Sequence, residues 1–161
     1  VTDVENEDLI MTTRLRETTI SETPLDDAFA YTADFANIED WDPGVAKSSQ
    51  IGSDPIGVGT AFDVLVAFGS RRIPMIYTIT EYDPPNRVVL IGEGSSLQAV
   101  DTIEFAAVEA GTEITYTADL TFQGVVKYFT PFMGRTLNNV GSKAVAGLST
   151  ALKQRQPSNE S

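Results

Sequence analysis

The chain has no cysteine and no histidine among its 161 residues. The first absence excludes disulfides, thiol nucleophiles and thiolate metal sites. The second removes imidazole ligands and every histidine-based general acid or base. An all-carboxylate calcium or magnesium site is the one metal chemistry left open, but no EF-hand spacing is present, so neither metal nor cofactor is expected. Positive charge is also scarce, with 11 Lys and Arg against 23 Asp and Glu and a net charge of −12. Phosphate binding needs a basic surface that displaces counterions, so nucleic acid is not an expected partner. An anionic membrane surface is disfavoured for the same reason. No apolar run approaches the roughly 18 residues of a membrane span, and no signal-peptide pattern is visible. Stable membrane insertion is therefore not expected, and the expected location is cytoplasmic. The oligomeric state is left open.

What is present reads as one globular domain, 42% hydrophobic and 21% charged. Asp3, Glu5, Glu7 and Asp8 crowd the first ten residues with no base among them, which marks residues 1–11 as a disordered acidic leader with Met11 a candidate start. Residues 12–155 form the expected domain, and residues 156–161 a frayed tail.

Thr13 to Ile20 alternates as a first strand. Thr23 is placed to cap, and Pro24 to open, a short helix over about 24–34 that buries Leu25 and Phe29. A second short helix or turn over 37–41 ends at Pro43-Gly44. Strands then follow over 45–51, 60–68, 71–82, 87–91, 97–108 and 112–122, separated by Gly-, Pro- and Asn-containing turns. Over 125–155 the period changes. Phe129, Phe132, Met133, Leu137, Val140, Ala144, Val145, Leu148 and Leu152 recur at three- and four-residue steps, the spacing of one helix face. The class is α+β. A single long helix after about six consecutive antiparallel strands has one large apolar surface to lie on, the concave face of a curved sheet, and a cavity is expected between the two.

Asp34-Phe35, Asn37, Trp41 and Pro43, followed by Gly57-Val58-Gly59-Thr60, resemble the opening pattern of the START-like superfamily, in its polyketide cyclase/dehydrase and lipid-transport branch. Thr78 to Leu90 (TITEYDPPNRVVL), Asp101 to Phe105 and Gly111 to Tyr116 continue the resemblance in order, and it runs from about Thr13 to Leu152. It implies a helix-grip fold, in which a sheet of six or seven antiparallel strands curves around a long C-terminal helix and encloses a cavity for apolar ligands. It does not imply one chemistry, since similar chains include aromatase/cyclases as well as lipid and quinone carriers.

Alternation identifies the inward faces. In the last strand Ile114, Tyr116, Ala118, Leu120 and Phe122 oppose a wholly polar set, and in the strand before it Asp101 shares a side with Ile103 and Phe105. An inward carboxylate is costly unless paired. Asp101 is thus either a ligand anchor or general base, or a rim acid paired with Arg72 or Arg16. Tyr77, between Met75 and Ile79, and Tyr116 are inward phenols, either hydrogen-bond donors to a ligand carbonyl or enolate, or satisfied core residues. Asp101, Tyr77 and Tyr116 are the catalytic candidates. Asp63 falls on the solvent side, and Asp40 and Asp42 are most simply solvated. Trp41, the only tryptophan, either caps the core or flanks the cavity mouth. The aromatic start of the long helix is either packing or a gate, given Pro131 and the low helix propensity of Gly134 and Gly141. The expected ligand-contacting set is Trp41, Val64, Met75, Tyr77, Ile79, Asp101, Ile103, Phe105, Tyr116, Ala118, Phe129, Phe132, Met133, Leu137 and Val140. A small hydrophobic or polycyclic ligand (lipid, isoprenoid or polyketide-like) is the expected partner. A polyketide cyclase or dehydratase using the same cavity is the alternative, and with no histidine any residue that transfers protons near neutral pH needs a strongly shifted pKa.

Overall fold

The computed structural model describes residues 11–123 and 134–155, with the side chains of Met11 and of residues 134–138 left outside the description. The acidic leader, the tail and the expected contacts of Phe129, Phe132, Met133 and the Leu137 side chain therefore lie outside the described residues.

The elements run β1 (Met11–Ser21), α1 (Leu25–Ala33), a 3-10 turn (Phe35–Asn37), α2 (Ile38–Trp41), β2 (Val45–Ile51), β3 (Ala61–Phe68), β4 (Arg71–Asp83), β5 (Arg87–Gly94), β6 (Leu97–Val108), β7 (Gly111–Phe122) and α3 (Gly134–Arg155). All seven strands form one antiparallel sheet in the order β1-β7-β6-β5-β4-β3-β2, a meander of consecutive hairpins whose last strand is flanked by the first. This is the expected α+β helix-grip architecture. The Thr23 cap is not seen. Pro24 precedes the first helical residue, and the start of α1 carries no side-chain cap bond. Thr23 instead serves the strands: its N–H donates to Ser21 Oγ at 3.1 Å, and its carbonyl accepts from Thr112 Oγ1 at 2.8 Å.

The period-two pattern sets the two faces. On β4 the buried residues are Ile73, Met75, Tyr77 and Ile79, and on β6 they are Leu97, Ala99, Asp101, Ile103 and Phe105. Asp63 is exposed, as its position opposite Ile76 on the outer face requires. That outer face is held by polar cross-strand pairs, including Thr18 with Thr115 and the ion pair Arg14–Asp119 at 2.7 Å. Such exposed pairs contribute about 0–1 kcal/mol each, so the fold rests on the inner face. There, Phe35, Phe62, Phe122, Met75, Ile103 and Leu148 are almost wholly removed from water, each contributing about 1.5–3 kcal/mol.

Two layers share that inner face. The helix α3 buries Ala144, Val145, Leu148, Ala151 and Leu152 and lies against β1 and α2. The segment from α1 to α2 covers the remainder, with Phe29 against Phe105 (5.1 Å between ring centroids), and Phe35 against Phe62 and Tyr77 (6.1 and 5.4 Å). The close crossing of α3 over α2 depends on Gly147, where a Cβ would collide with the backbone carbonyl of Trp41.

Gly147→Ala sets a helix-propensity gain of about 1 kcal/mol against overpacking of about 1–3 kcal/mol. The obstructing atom is backbone and cannot rotate aside, so overpacking wins. A thermal melt of this variant should show a midpoint lower by several degrees; a raised midpoint would refute the close crossing.

Candidate functional site

A partly open cavity of about 90 Å³ lies between α3 and the sheet. Its wall is mostly apolar, formed by side chains such as Leu15, Val66, Phe68, Leu97, Ala118 and Phe122, and on the helix side by Val140, Gly141 and Ala144. Four polar side chains enter it: Asp42, Tyr77, Asp101 and Tyr116.

Asp101 sits mid-sheet on β6, between Leu90 of β5 and Ala118 of β7, and is 2% exposed. The diagonal neighbour Tyr116 donates its phenol to Asp101 Oδ2 at 2.7 Å, while Oδ1 has no hydrogen-bond partner among the described residues. The rim pairing with arginine is not found. Arg16 is exposed on β1, and the Arg72 guanidinium donates to the carbonyls of Gly69 and Arg71 at the β3–β4 turn. Alternation gives the correct face for Asp101 but not its depth, because the burial comes from β5 and β7 on either side and not from its place along the strand.

Burial without a cation pushes the Asp101 carboxyl up to about 7. The Tyr116 hydrogen bond opposes that shift, and the charges of Asp42 and Asp119 add to it. Asp42, at the end of α2, is likewise raised to about 6 by burial, against the lowering effect of the Gly44 N–H, which donates to its Oδ1 at 2.8 Å. Tyr77 and Tyr116 are pushed well above the usual phenol value, by burial first and then by Asp101. Both phenols therefore stay protonated as donors. The Tyr77 ring has room because residue 92 is glycine: a Cβ there would stand 2.5–2.9 Å from three of its ring carbons.

Of the residues expected to contact a ligand, Asp101, Tyr77, Tyr116, Ala118 and Val140 line the cavity. Trp41, Val64, Met75, Ile79, Ile103 and Phe105 are buried but do not line it. The reason is the α1–α2 segment, whose Phe29 and Phe35 pack on Phe105, Phe62 and Tyr77 of the concave face that the period-two pattern opened to a ligand. Trp41 is a core residue, edge-on to Tyr116 at 6.1 Å, with its indole Nε1 unpartnered among the described residues. Asp42 was missed, being expected in solvent. The available signal was Asp42-Pro43-Gly44, in which an aspartate accepts from the N–H two residues on and turns its side chain back over the helix end.

The largest concavity among the described residues lies elsewhere, contrary to expectation. It is an open groove of about 730 Å³ between α1 and the end of α3, lined by Glu22, Asp27, Tyr31, Asp34, Asn37 and Arg155 among others. Its wall mixes charged side chains about equally with apolar ones such as Ala30 and Leu152, whereas the smaller cavity is mostly apolar with few polar groups and is the better ligand site. Among the described residues no three carboxylates converge as a metal site would need, and no helix is long and apolar enough to cross a membrane.

The arrangement supplies a carboxyl near neutrality, two phenol donors and an unfilled acceptor in an apolar enclosure. Asp42 and Asp101 both hold protons more tightly folded than unfolded. Their contribution to stability is fully present below about pH 4 and is lost as pH rises through about 6 and then 7. Denaturation at pH 5 and pH 8 should therefore show the protein more stable at the lower pH, by on the order of a few kcal/mol, with most of the difference removed in Asp101→Asn. Equal stability at the two pH values would contradict the buried, cation-free carboxyls.

The family model described as polyketide cyclase/dehydrase and lipid transport matches residues 12–153. A search of curated proteins gave no match. Among solved structures, the chain is similar to the ZhuI aromatase/cyclase of Streptomyces sp. R1128, with a TM-score of 0.74 and 11% identity over 93% of this chain and 99% of that one. It is also similar to the protein TTHA0849 of Thermus thermophilus, with a TM-score of 0.69 and 16% identity over 89% and 96%. The di-domain ARO/CYC StfQ of the steffimycin biosynthetic pathway gives a TM-score of 0.66 and 14% identity, covering 94% of this chain and 53% of that one. At these identities the likeness is one of fold.

Proposed function

The chain belongs to the polyketide cyclase/dehydrase and lipid transport family, and from that premise we propose that its cavity between α3 and the sheet holds a small, largely apolar ligand by one polar group set against Asp101 and Tyr116. The observation that carries this reading is Asp101 Oδ1, a buried acceptor without a partner on the wall of an otherwise apolar cavity. A structural carboxylate in that position leaves an unmet hydrogen bond, costing about 1–3 kcal/mol or more, and a bound ligand removes the deficit. At about 90 Å³ the cavity is smaller than the roughly 300–1,000 Å³ of sites for drug-sized ligands. A lipid, isoprenoid or polycyclic ligand enters whole only if the wall of Val140, Gly141 and Ala144 moves outward.

A second reading, a cyclase or dehydratase, is favoured by one specific feature. Asp101, raised to about 7, exchanges protons near neutrality in a chain without histidine. In that role Asp101 abstracts a proton next to a ligand carbonyl and returns it to a departing hydroxyl, while Tyr77 donates a hydrogen bond to the developing oxyanion and Tyr116 keeps its own on Asp101 Oδ2. The aromatase/cyclase named among the structural neighbours supports the fold as a host for such chemistry, not the residues.

The two roles of Asp101 separate in one variant. The neutral apolar dye N-phenyl-1-naphthylamine should gain fluorescence with the wild-type protein, and Asp101→Asn should leave that gain intact. The variant should raise the melting temperature at pH 8 and weaken a competing ligand that carries the polar group by about 1.5–3 kcal/mol. A lowered melting temperature with unchanged competitor affinity would make Asp101 a structural residue, and absence of any dye response would remove the binding reading for ligands of lipid or polycyclic size.

A further inference from the structure

The cavity wall is one-sided in charge. It carries two carboxylates, Asp42 and Asp101, two phenols that remain protonated, and no basic side chain among the described residues. Charged groups of both signs lie just outside the wall, with Arg14 and Arg16 flanking Leu15 and Lys143 next to Ala144 in the sequence. Glu17 lies beside Gly141, where it accepts from Ser142 Oγ at 3.4 Å, and Asp119 on the outer face acts on Asp101. The cation near Asp119 is Arg14, whose guanidinium is engaged with that same carboxylate in solvent. The remaining wall, from Leu15 on β1 through Val66 and Phe68 on β3 to Val140 and Ala144 on α3, is apolar.

Buried carboxylates are ordinarily paired or bound to a cation. Here the unpartnered Oδ1 of Asp101, 2% exposed and on the cavity wall, is a buried acceptor with no countercharge among the described residues. Phe68 and Phe122, with ring centroids 5.8 Å apart, also line the cavity and would cover an apolar body. Resting on the binding reading above, we infer that the polar group of the ligand is a protonated amine on a small apolar body, held between Asp101 and Asp42. The ammonium donates to Asp101 Oδ1, and Tyr116 continues to hold Oδ2. The raised pKa values of both acids come first from burial, and a cation placed between them would favour their ionised forms. The net charge of −12 draws such a ligand towards the protein and does not by itself select it.

Cyclohexylamine and cyclohexanol, nearly equal in shape and both water-soluble, test the inference on the wild-type protein by titration calorimetry. At pH 8 the amine should bind on the order of tenfold or more tighter than the alcohol. That ratio should fall towards one at pH 5 as Asp101 and Asp42 take up protons. At pH 7 amine binding should release protons, seen as a dependence of the heat on the buffer's ionisation enthalpy, and the alcohol should show none. Asp101→Asn should abolish the preference. The wild-type pH dependence and proton release carry the test even if that variant folds poorly. An alcohol that binds as tightly as the amine would overturn the cationic ligand and leave the apolar-binding reading standing. Failure of both compounds, together with failure of the neutral dye, would remove both.

Discussion

Asp101 is a carboxylate buried in the middle of an antiparallel sheet, held by a single phenol and opposed by no cation among the described residues. Much of the site's chemistry depends on that arrangement. Burial raises its pKa to about 7, the Tyr116 hydrogen bond fixes the orientation of one oxygen, and the other oxygen is left on the wall of the cavity. A rim carboxylate with an arginine partner would be structural. A fully solvated one would have an ordinary pKa and no need of a ligand. The position between these two cases sets the preference for protons at moderate pH and makes the cavity polar at one point.

The sheet provides that depth because β6 is central. Its neighbours β5 and β7 satisfy the backbone on both sides of Asp101, leaving the side chain to find its own partner. The covering layer decides how much space remains. Phe29 and Phe35, from the α1–α2 segment, pack on Phe105, Phe62 and Tyr77 of the concave face, and α3 sets Val140, Gly141 and Ala144 over the cavity. Two glycines permit this closeness: Gly147 lets α3 cross the end of α2, and Gly92 leaves room for the Tyr77 ring.

Period-two alternation was sufficient for the strands and their inward faces, because a one-residue slip would have exposed Ile103, Phe105, Ile114 and Phe122 together. Asp101 and Tyr116 were found on the correct face for the same reason. Alternation carries no information about neighbours across the sheet, so the Tyr116 partnership and the absence of arginine had to come from register. Nor does it say which covering element meets which stretch of a strand. That is why Val64, Met75, Ile79, Ile103 and Phe105 were assigned to a ligand although they do not line the cavity. Asp42 was missed because a charged residue in a Pro-Gly turn reads as solvated, whereas its side chain accepts from Gly44 and lines the cavity.

The most direct measurement is the ionisation of Asp101 itself. Carbon-13 NMR of the aspartate side-chain carboxyl groups, followed from acid to alkaline pH, should show one resonance titrating near 7 and a second near 6, with the first missing in Asp101→Asn. If every aspartate carboxyl titrated in the ordinary range near about 4, Asp101 would be either paired or solvated, and the account of a buried, cation-free carboxylate at the cavity would be wrong.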